Sequence, residues 1–228
     1  MPENEQASGS LEEIGRRDHS VTSEYRLFGP PGTGKTTNLS RQVARAVAKY
    51  GRDAVLVTSF SKTAAAELAG RDLPISPDRI GTLHSHCWHA LGGPEIAEAN
   101  VGEWNKDNQH LAITQQRKLG KIEGEESLDD DTEQEKDGDA LLQQLNRLRG
   151  MMLDRRFWPP MVRAFEAKWT EYKRENGLSD FTDLIETAYR DTYTAPKNPS
   201  VIFADEAQDL NRMQLSLVRK WGERATYF

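Results

Sequence analysis

Cysteine is nearly absent from this 228-residue sequence: Cys87 stands alone, which excludes an intramolecular disulfide and leaves no sign of a cross-linked secreted scaffold. Long apolar runs are missing as well. No stretch approaches the roughly 18 residues of a membrane span, and the N-terminus MPENEQASGS lacks the basic-then-apolar order of a signal peptide. These absences point to a soluble chain of cytoplasmic location with no membrane partner. An overall positive charge is lacking too, since the formal net charge is −6. The deficit is local, because residues 123–139 (EGEESLDDDTEQEKDGD) hold ten acids and one lysine, whereas the remainder carries 29 bases against 26 acids. That block reads as a solvated, disordered loop, so net charge does not decide between nucleic acid and other partners.

What is present is a phosphate loop. Gly29-Pro30-Pro31-Gly32-Thr33-Gly34-Lys35-Thr36 fills the pattern G-x-x-x-x-G-K-[ST]. The context agrees, with Tyr25-Arg26-Leu27-Phe28 as a strand-like run before it and an amphipathic helix after it that carries Leu39, Val43, Ala46 and Val47 on one face. Successive backbone amides and a helix N-terminus form a donor nest suited to a polyphosphate. Lys35 is the candidate contact to the β- and γ-phosphates and Thr36 a candidate Mg²⁺ ligand. Gly29, Pro30, Pro31, Gly32, Thr33, Gly34, Lys35, Thr36 and Thr37 are together the candidate nucleotide contacts, with ATP and Mg²⁺ as cofactors.

A second motif lies near the C-terminus. Val201-Ile202-Phe203-Ala204 is an apolar run typical of a buried parallel strand, and Asp205-Glu206-Ala207-Gln208-Asp209 follows it. An acid at such a strand end holds Mg²⁺ in phosphate-loop enzymes, which gives Asp205 the metal role and Glu206 that of general base. Gln208, in the following turn, is a candidate γ-phosphate sensor or a solvent-facing turn residue. Asn211 and Gln214 have the spacing of a capping box, ahead of Leu215, Leu217, Val218 and Trp221. The two motifs are expected at neighbouring strand tips of one sheet, sharing one magnesium-bound triphosphate.

Between them, Ala54-Val55-Leu56-Val57-Thr58 reads as a second buried strand that runs into Ser59-Phe60-Ser61-Lys62-Thr63-Ala64-Ala65-Ala66-Glu67-Leu68, and Gly81-Thr82-Leu83-His84 comes further on. With the two motifs above and Asp180-Phe181-Thr182-Asp183-Leu184, this order resembles superfamily 1A DNA helicases of the UvrD/Rep/PcrA kind. Their corresponding segments run approximately T-F-T-N-K-A-A-x-E-[ML], G-T-[FL]-H and D-F-x-D-L. The resemblance implies a RecA-like α/β fold, a parallel sheet flanked by helices and interrupted by a helical subdomain. It implies DNA-binding roles for Thr58, Ser59 and Phe60, an aromatic ring offering a stacking face to any base, and for Thr82 and His84 at the DNA backbone. Phe60 and His84 taken alone read equally well as a core aromatic and a buried histidine. It also implies 3′ to 5′ movement.

His84, His86, Cys87 and His89 crowd together, but no second ligand cluster accompanies them, and zinc is not the favoured reading. Residues 92–176 match no named motif. They hold helix-like runs over residues 140–149, with Leu141, Leu142, Leu145 and Leu148, and over residues 160–174, where Met161, Phe165, Trp169 and Tyr172 form a packing stripe. The expected organisation is a disordered tail over 1–22, a first RecA-like segment over 23–91, a helical insertion over 92–176 and a second RecA-like segment over 177–228.

Two departures from the family pattern stand out. Ile14 occupies the place where an adenine-reading glutamine is expected, with Gln6 too far away. The chain also ends on Ala225-Thr226-Tyr227-Phe228, the apparent opening of another strand, where the family continues with G-D-x-x-Q and a second RecA-like domain bearing arginine fingers. The expectation is the N-terminal part of an ATP-dependent DNA helicase, acting on single-stranded DNA with the second RecA-like domain in cis or in trans. Alone it should hydrolyse ATP poorly, since such an arginine contributes about 10³-fold or more. Two alternatives stay open: an ATP-binding single-stranded-DNA module that does not unwind, and another phosphate-loop protein such as an AAA+ ATPase or a small-molecule kinase.

Overall fold

A computed structural model describes residues 24–30, 32–71, 73–116, 136–223 and 225. The expected N-terminal tail, Ile14, Pro31, residues 117–135 (which include 123–135 of the acidic stretch) and the terminal Thr226-Tyr227-Phe228 lie outside the described residues.

Three parallel strands form the sheet in the order β2–β1–β3, with β1 at Val55–Ser59, β2 at Ile80–Thr82 and β3 at Val201–Ala204. Alternation along β1 and β3 sends side chains to opposite faces, and both faces are covered. Val55, Val57 and Val201 pack with Val43 and Ala46 of α1 (Lys35–Tyr50) and Leu68 of α2 (Lys62–Ala69). Leu56 and Ile202 face the other way, onto α3 (Leu83–Ala90), α7 (Phe181–Asp191) and α8 (Arg212–Gly222). Leu56 and Ile202 are each 1% exposed, and full burial of a side chain of that size contributes roughly 1.5–3 kcal/mol. The α1 face expected from periodicity is the observed one, with Leu39 and Val47 packed at its margin.

A separate apolar cluster lies in the helices between residues 92 and 176: α4 (Gly102–Asp107), α5 (Asp137–Gly150) and α6 (Pro160–Asn176). It gathers Trp104, Leu142, Leu145, Val162, Phe165 and Trp169, with the Trp104 ring edge-on to Trp169 at 5.1 Å. One member of the expected stripe is corrected: Met161 is 70% exposed, and Val162, one residue on, is fully buried in its place. The inward face runs Val162, Phe165, Trp169 and Lys173, with the same three-to-four-residue spacing as a stripe begun at Met161, so the period alone does not choose between the two neighbouring apolar residues. The acidic stretch is corrected at its end as well. Asp137 and Asp139 open α5, and Asp139 accepts hydrogen bonds from the Lys136 and Thr114 backbone amides and the Thr114 hydroxyl. Its negative charge there suits the helix N-terminus.

The chain leaves for these helices and returns from them at one place. Ile96 and Ser179 form a parallel bridge, with Ala97 N–H donating to Ser179 O and Ser179 N–H to Glu95 O, each at 2.9 Å. Beside this bridge Asp180, 0% exposed, caps α7 by accepting the Asp183 N–H. The same carboxylate accepts from Arg149 of α5 at 3.0 Å, from Lys173 of α6 and from Trp169 Nε1 at 3.1 Å. Against the cost of burial, the Arg149 and Lys173 cations hold its pKa below the ordinary value. Glu98 lies alongside, its Oε1 accepting the Phe181 N–H at 3.1 Å and its Oε2 buried without a partner among the described residues. Burial, and then the Asp180 charge, push the Glu98 carboxyl up to about 8.

This sets a pH dependence. An unfolded glutamate titrates near 4.3, so the folded protein holds the Glu98 proton more tightly. That stabilisation is complete below about pH 4 and is lost as pH rises through about 8. His84 and His86, whose pKa values burial lowers, tilt stability the other way below about pH 6.5, so the informative quantity is a difference between two proteins. Glu98→Gln copies the protonated form. Its unfolding free energy minus that of the parent should rise between pH 5 and 8, by up to about 1.4 kcal/mol per unit, in denaturant titrations. A flat difference would mean that Glu98 is ionised throughout.

Candidate functional site

Parallel pairing puts the carboxyl ends of all three strands on one edge of the sheet, the edge at which open α/β sheets bind ligands. Ser59 pairs with Thr82 and Thr58 with Ala204, and Asp205 N–H donates to Thr58 O at 2.8 Å. Phe60, His84 and Asp205 therefore emerge from the same edge, with Asp205 on one flank of the central strand and His84 on the other.

The phosphate loop reaches this edge by a different route from the expected one. Tyr25-Arg26-Leu27-Phe28 forms no strand: it pairs with none of the three strands, and Phe28 is 66% exposed. Three apolar residues interrupted by a charged one bury too little to offset the missing ladder. One link from its start to the rest of the molecule is ionic: Glu24, which also pairs with Arg26 at 2.6 Å, reaches Arg219 of α8 at 3.4 Å. Only Asp205, then, stands on a strand tip, and the expectation of two neighbouring tips is corrected.

Beyond that segment the loop takes the backbone its glycines allow. Gly32 and Gly34 both have φ 78°, a left-handed conformation in which a Cβ is strained, and Gly34 stands directly before α1. Thr33 Oγ1 donates to Pro30 O at 2.8 Å, and Lys35 Nζ donates to Gly29 O at 2.8 Å and to Pro30 O at 3.3 Å. Thr36 is half-buried and Thr37 exposed in the first turn, where backbone amides lack helical partners.

Electrostatics connect this loop to the acidic motif. Burial, then the neighbouring Glu206 charge and Glu67 of α2, raise the Asp205 pKa, while the Lys35 charge lowers it. Lys35 and Glu206 thus both lie close enough to act on Asp205. Glu206 sits at φ 52°, a left-handed conformation that is costly for a residue with a side chain, and Gln208 Nε2 donates to its Oε2. The pair assigned to base and sensor is in contact. Glu67 is an addition: its sequence run was recognisable, but nothing local indicated that its carboxylate would act on Asp205.

The remaining expected residues divide by exposure. Phe60 is 45% exposed at the edge, whereas Thr58 and Ser59 are 3% and 2% exposed, with hydroxyls that find no partner among the described residues. Thr82 caps α3 by accepting the Ser85 N–H at 3.2 Å. His84 is half-buried, edge-on to Phe181 with ring centroids 6.0 Å apart, and burial lowers its pKa, leaving a neutral imidazole at pH 7. His86 turns inward to Val57 O at 3.0 Å, and Cys87 is buried, which pushes its thiol pKa up. Among the described residues no three His, Cys, Asp or Glu side chains are grouped to hold a metal ion. No helix among them is long and apolar enough to cross a membrane.

Comparison with curated proteins finds no match. The family model described as UvrD/REP helicase N-terminal domain matches residues 16–227, a span that includes the phosphate loop, the acidic motif and the helices between them. With nearly the whole sequence matched and the motifs gathered on one sheet edge, the chain belongs to the UvrD/REP helicase N-terminal domain family.

Proposed function

We propose that the chain binds ATP with Mg²⁺ at the phosphate loop and couples its hydrolysis to movement on single-stranded DNA, working with a second RecA-like domain in cis or in trans. The observation that carries this reading is that Asp205, Phe60 and His84 all emerge from one edge of the sheet, with the Lys35 charge near enough to Asp205 to lower its pKa.

The residues present fit the group they would hold. The Thr36 hydroxyl and the Asp205 carboxylate are hard oxygen donors of the kind Mg²⁺ takes. Gly29, Gly32, Thr33, Gly34 and Thr37 would supply backbone amides to the phosphates, and Pro30 and Pro31, which have no N–H to donate, would complete the loop. Bound Mg²⁺ would neutralise charge developing between the β- and γ-phosphates. Lys35, held by the Gly29 and Pro30 carbonyls, would exchange them for phosphate oxygens. Glu206 would accept a proton from the attacking water, and Gln208, touching Glu206, would orient that water and register the γ-phosphate.

On the nucleic-acid side Phe60 would stack on a base, and Thr82 and His84 would contact the backbone. Thr58 and Ser59, buried as they are, would reach a strand only through rearrangement of the edge. Residues 92–176 are read as a helical insertion between two core segments, 23–91 and 177–228, a division supported by the bridge that pairs Ile96 with Ser179.

Three substitutions test these roles. Lys35→Ala should weaken ATP binding by about tenfold or more, the worth of a charge-assisted hydrogen bond, in a fluorescent-nucleotide titration; unchanged affinity would displace the loop from the site. With the second domain supplied, Glu206→Gln should keep nucleotide binding and lower DNA-stimulated hydrolysis by about 10²- to 10⁴-fold, and normal turnover would move the base elsewhere. Phe60→Ala should cost on the order of 1–3 kcal/mol of single-strand affinity, measured by anisotropy of a labelled oligonucleotide. No loss there would return Phe60 to a packing role.

A further inference from the structure

A cleft of about 280 Å³ opens between α3, α5, α7 and α8. His84 lines it together with Asn146 and Arg147 of α5, Thr182 of α7, and Asn211 and Gln214 at the start of α8. Among the described residues no aspartate or glutamate lines it, in a chain of formal net charge −6.

The polar groups of this lining are turned into donors by their own internal bonds. The Gln214 backbone N–H donates to Asn211 Oδ1 and the Asn211 N–H to Gln214 Oε1, each at 2.9 Å. Those amide donors fix which end of each side chain is oxygen, so both NH₂ groups are left without a partner among the described residues. Thr182 Oγ1 donates to Asn146 Oδ1 at 2.8 Å, an arrangement that leaves the Asn146 NH₂ without a partner among the described residues. Gly150 helps to set the approach, since a Cβ there would lie 2.6 Å from Asn211 Nδ2.

Two arginines on α5 have opposite fates. Arg149 is locked by Asp180, Asp183 and Glu186. Arg147 is exposed at the cleft and pairs with no carboxylate among the described residues. A guanidinium beside amide donors, with the neighbouring acids Asp180, Asp183 and Glu186 already paired to Arg149, is suited to an anionic oxygen shared between two ester links, as in a phosphodiester.

We propose that this cleft holds a backbone phosphate of single-stranded DNA, with Arg147 as the charged contact and the amides of Asn146, Asn211 and Gln214 as neutral donors. It extends onto the helices between residues 92 and 176 the path that begins at His84. Because phosphate contacts position a strand without reading bases, the site is indifferent to sequence. The proposal rests on the reading of the chain as a single-strand-binding part of a helicase.

The test is a salt titration of oligonucleotide binding by the full 228-residue chain, using labelled oligo-dT and a mixed-sequence strand. Arg147→Ala should lower affinity on the order of tenfold at low salt. It should also reduce the magnitude of the log affinity against log salt slope by about 0.7, the value for one phosphate contact on a single strand, equally for both strands. Arg147→Lys should restore the slope. Arg163→Ala, an exposed arginine on α6 outside the cleft, should leave affinity and slope at parental values. If Arg147→Ala behaves as the parent while Phe60→Ala weakens binding, the cleft lies off the path and the proposal is overturned with the single-strand reading intact. Equal losses from Arg147→Ala and Arg163→Ala would mean diffuse charge rather than a site, and would also overturn it. A parent that binds neither strand would bring down the single-strand reading itself.

Discussion

The Asp180 carboxylate is the interaction on which the arrangement of the whole molecule turns. It is fully buried at the point where the chain returns to the sheet from the intervening helices, and its oxygens are shared among α5, α6 and the first turn of α7. A buried carboxylate is tolerable only when its lone pairs are satisfied and its charge is met. Arg149, Lys173, Trp169 and the Asp183 amide supply that together. Taking away one partner of such a cluster leaves a buried charge exposed to low dielectric, which costs about 3–5 kcal/mol. The cluster therefore specifies how the helices between residues 92 and 176 sit on the core, and with them the position of Arg147, two residues from Arg149.

The second constraint is direction. Parallel strands present their carboxyl ends together, and the order β2–β1–β3 separates two chemistries on that edge. At the end of β3 stands Asp205, whose carboxyl feels the charges of Glu206, Glu67 of α2 and Lys35. The aromatic and imidazole side chains of Phe60 and His84 follow β1 and β2. His84, its pKa lowered by burial, and the half-exposed Phe60 offer that flank an imidazole and an aromatic face, the groups that contact backbone and base on a single strand. Between the flanks lie the buried hydroxyls of Thr58 and Ser59, without partners among the described residues, an arrangement that costs roughly 1–3 kcal/mol for each group left unsatisfied.

Local signals were legible and relational ones were not. The α8 cap could be read because Asn211 and Gln214 need only each other, and the α1 face because its periodicity is internal to one helix. The strand expected at residues 25–28 failed for the opposite reason: a strand exists only with a partner, and four residues carry no information about whether one is in reach. β2 is three residues long with a central glycine, too short to show any period. For α6 the helix was evident, but Met161 and Val162 are both apolar, and which of them faces inward depends on the neighbouring α5. Asp180 could be recognised within a motif, yet its partners Lys173 and Arg149 stand 7 and 31 residues away. The cleft is further still from sequence reasoning, since four helices contribute to it.

One relation joins the two constraints. The helix that follows the acidic motif begins at Asn211, and the capping box that starts it is also part of the cleft wall. Gln208, in contact with Glu206, is separated from Asn211 by only Asp209 and Leu210. Asn211 in turn packs against Gly150, at the end of the helix that carries both Arg147 and Arg149. A short tether of this kind has little slack, because its residues are fixed at one end by the left-handed turn at Glu206 and at the other by two backbone hydrogen bonds. On the proposed reading, a change at the γ-phosphate that turns Glu206 and Gln208 would be felt at the α8 N-terminus, and hence at the phosphate-facing amides of Asn211 and Gln214. Nucleotide state and grip on the strand would then be linked within one domain, and closure by a second domain would amplify a coupling already built into this one.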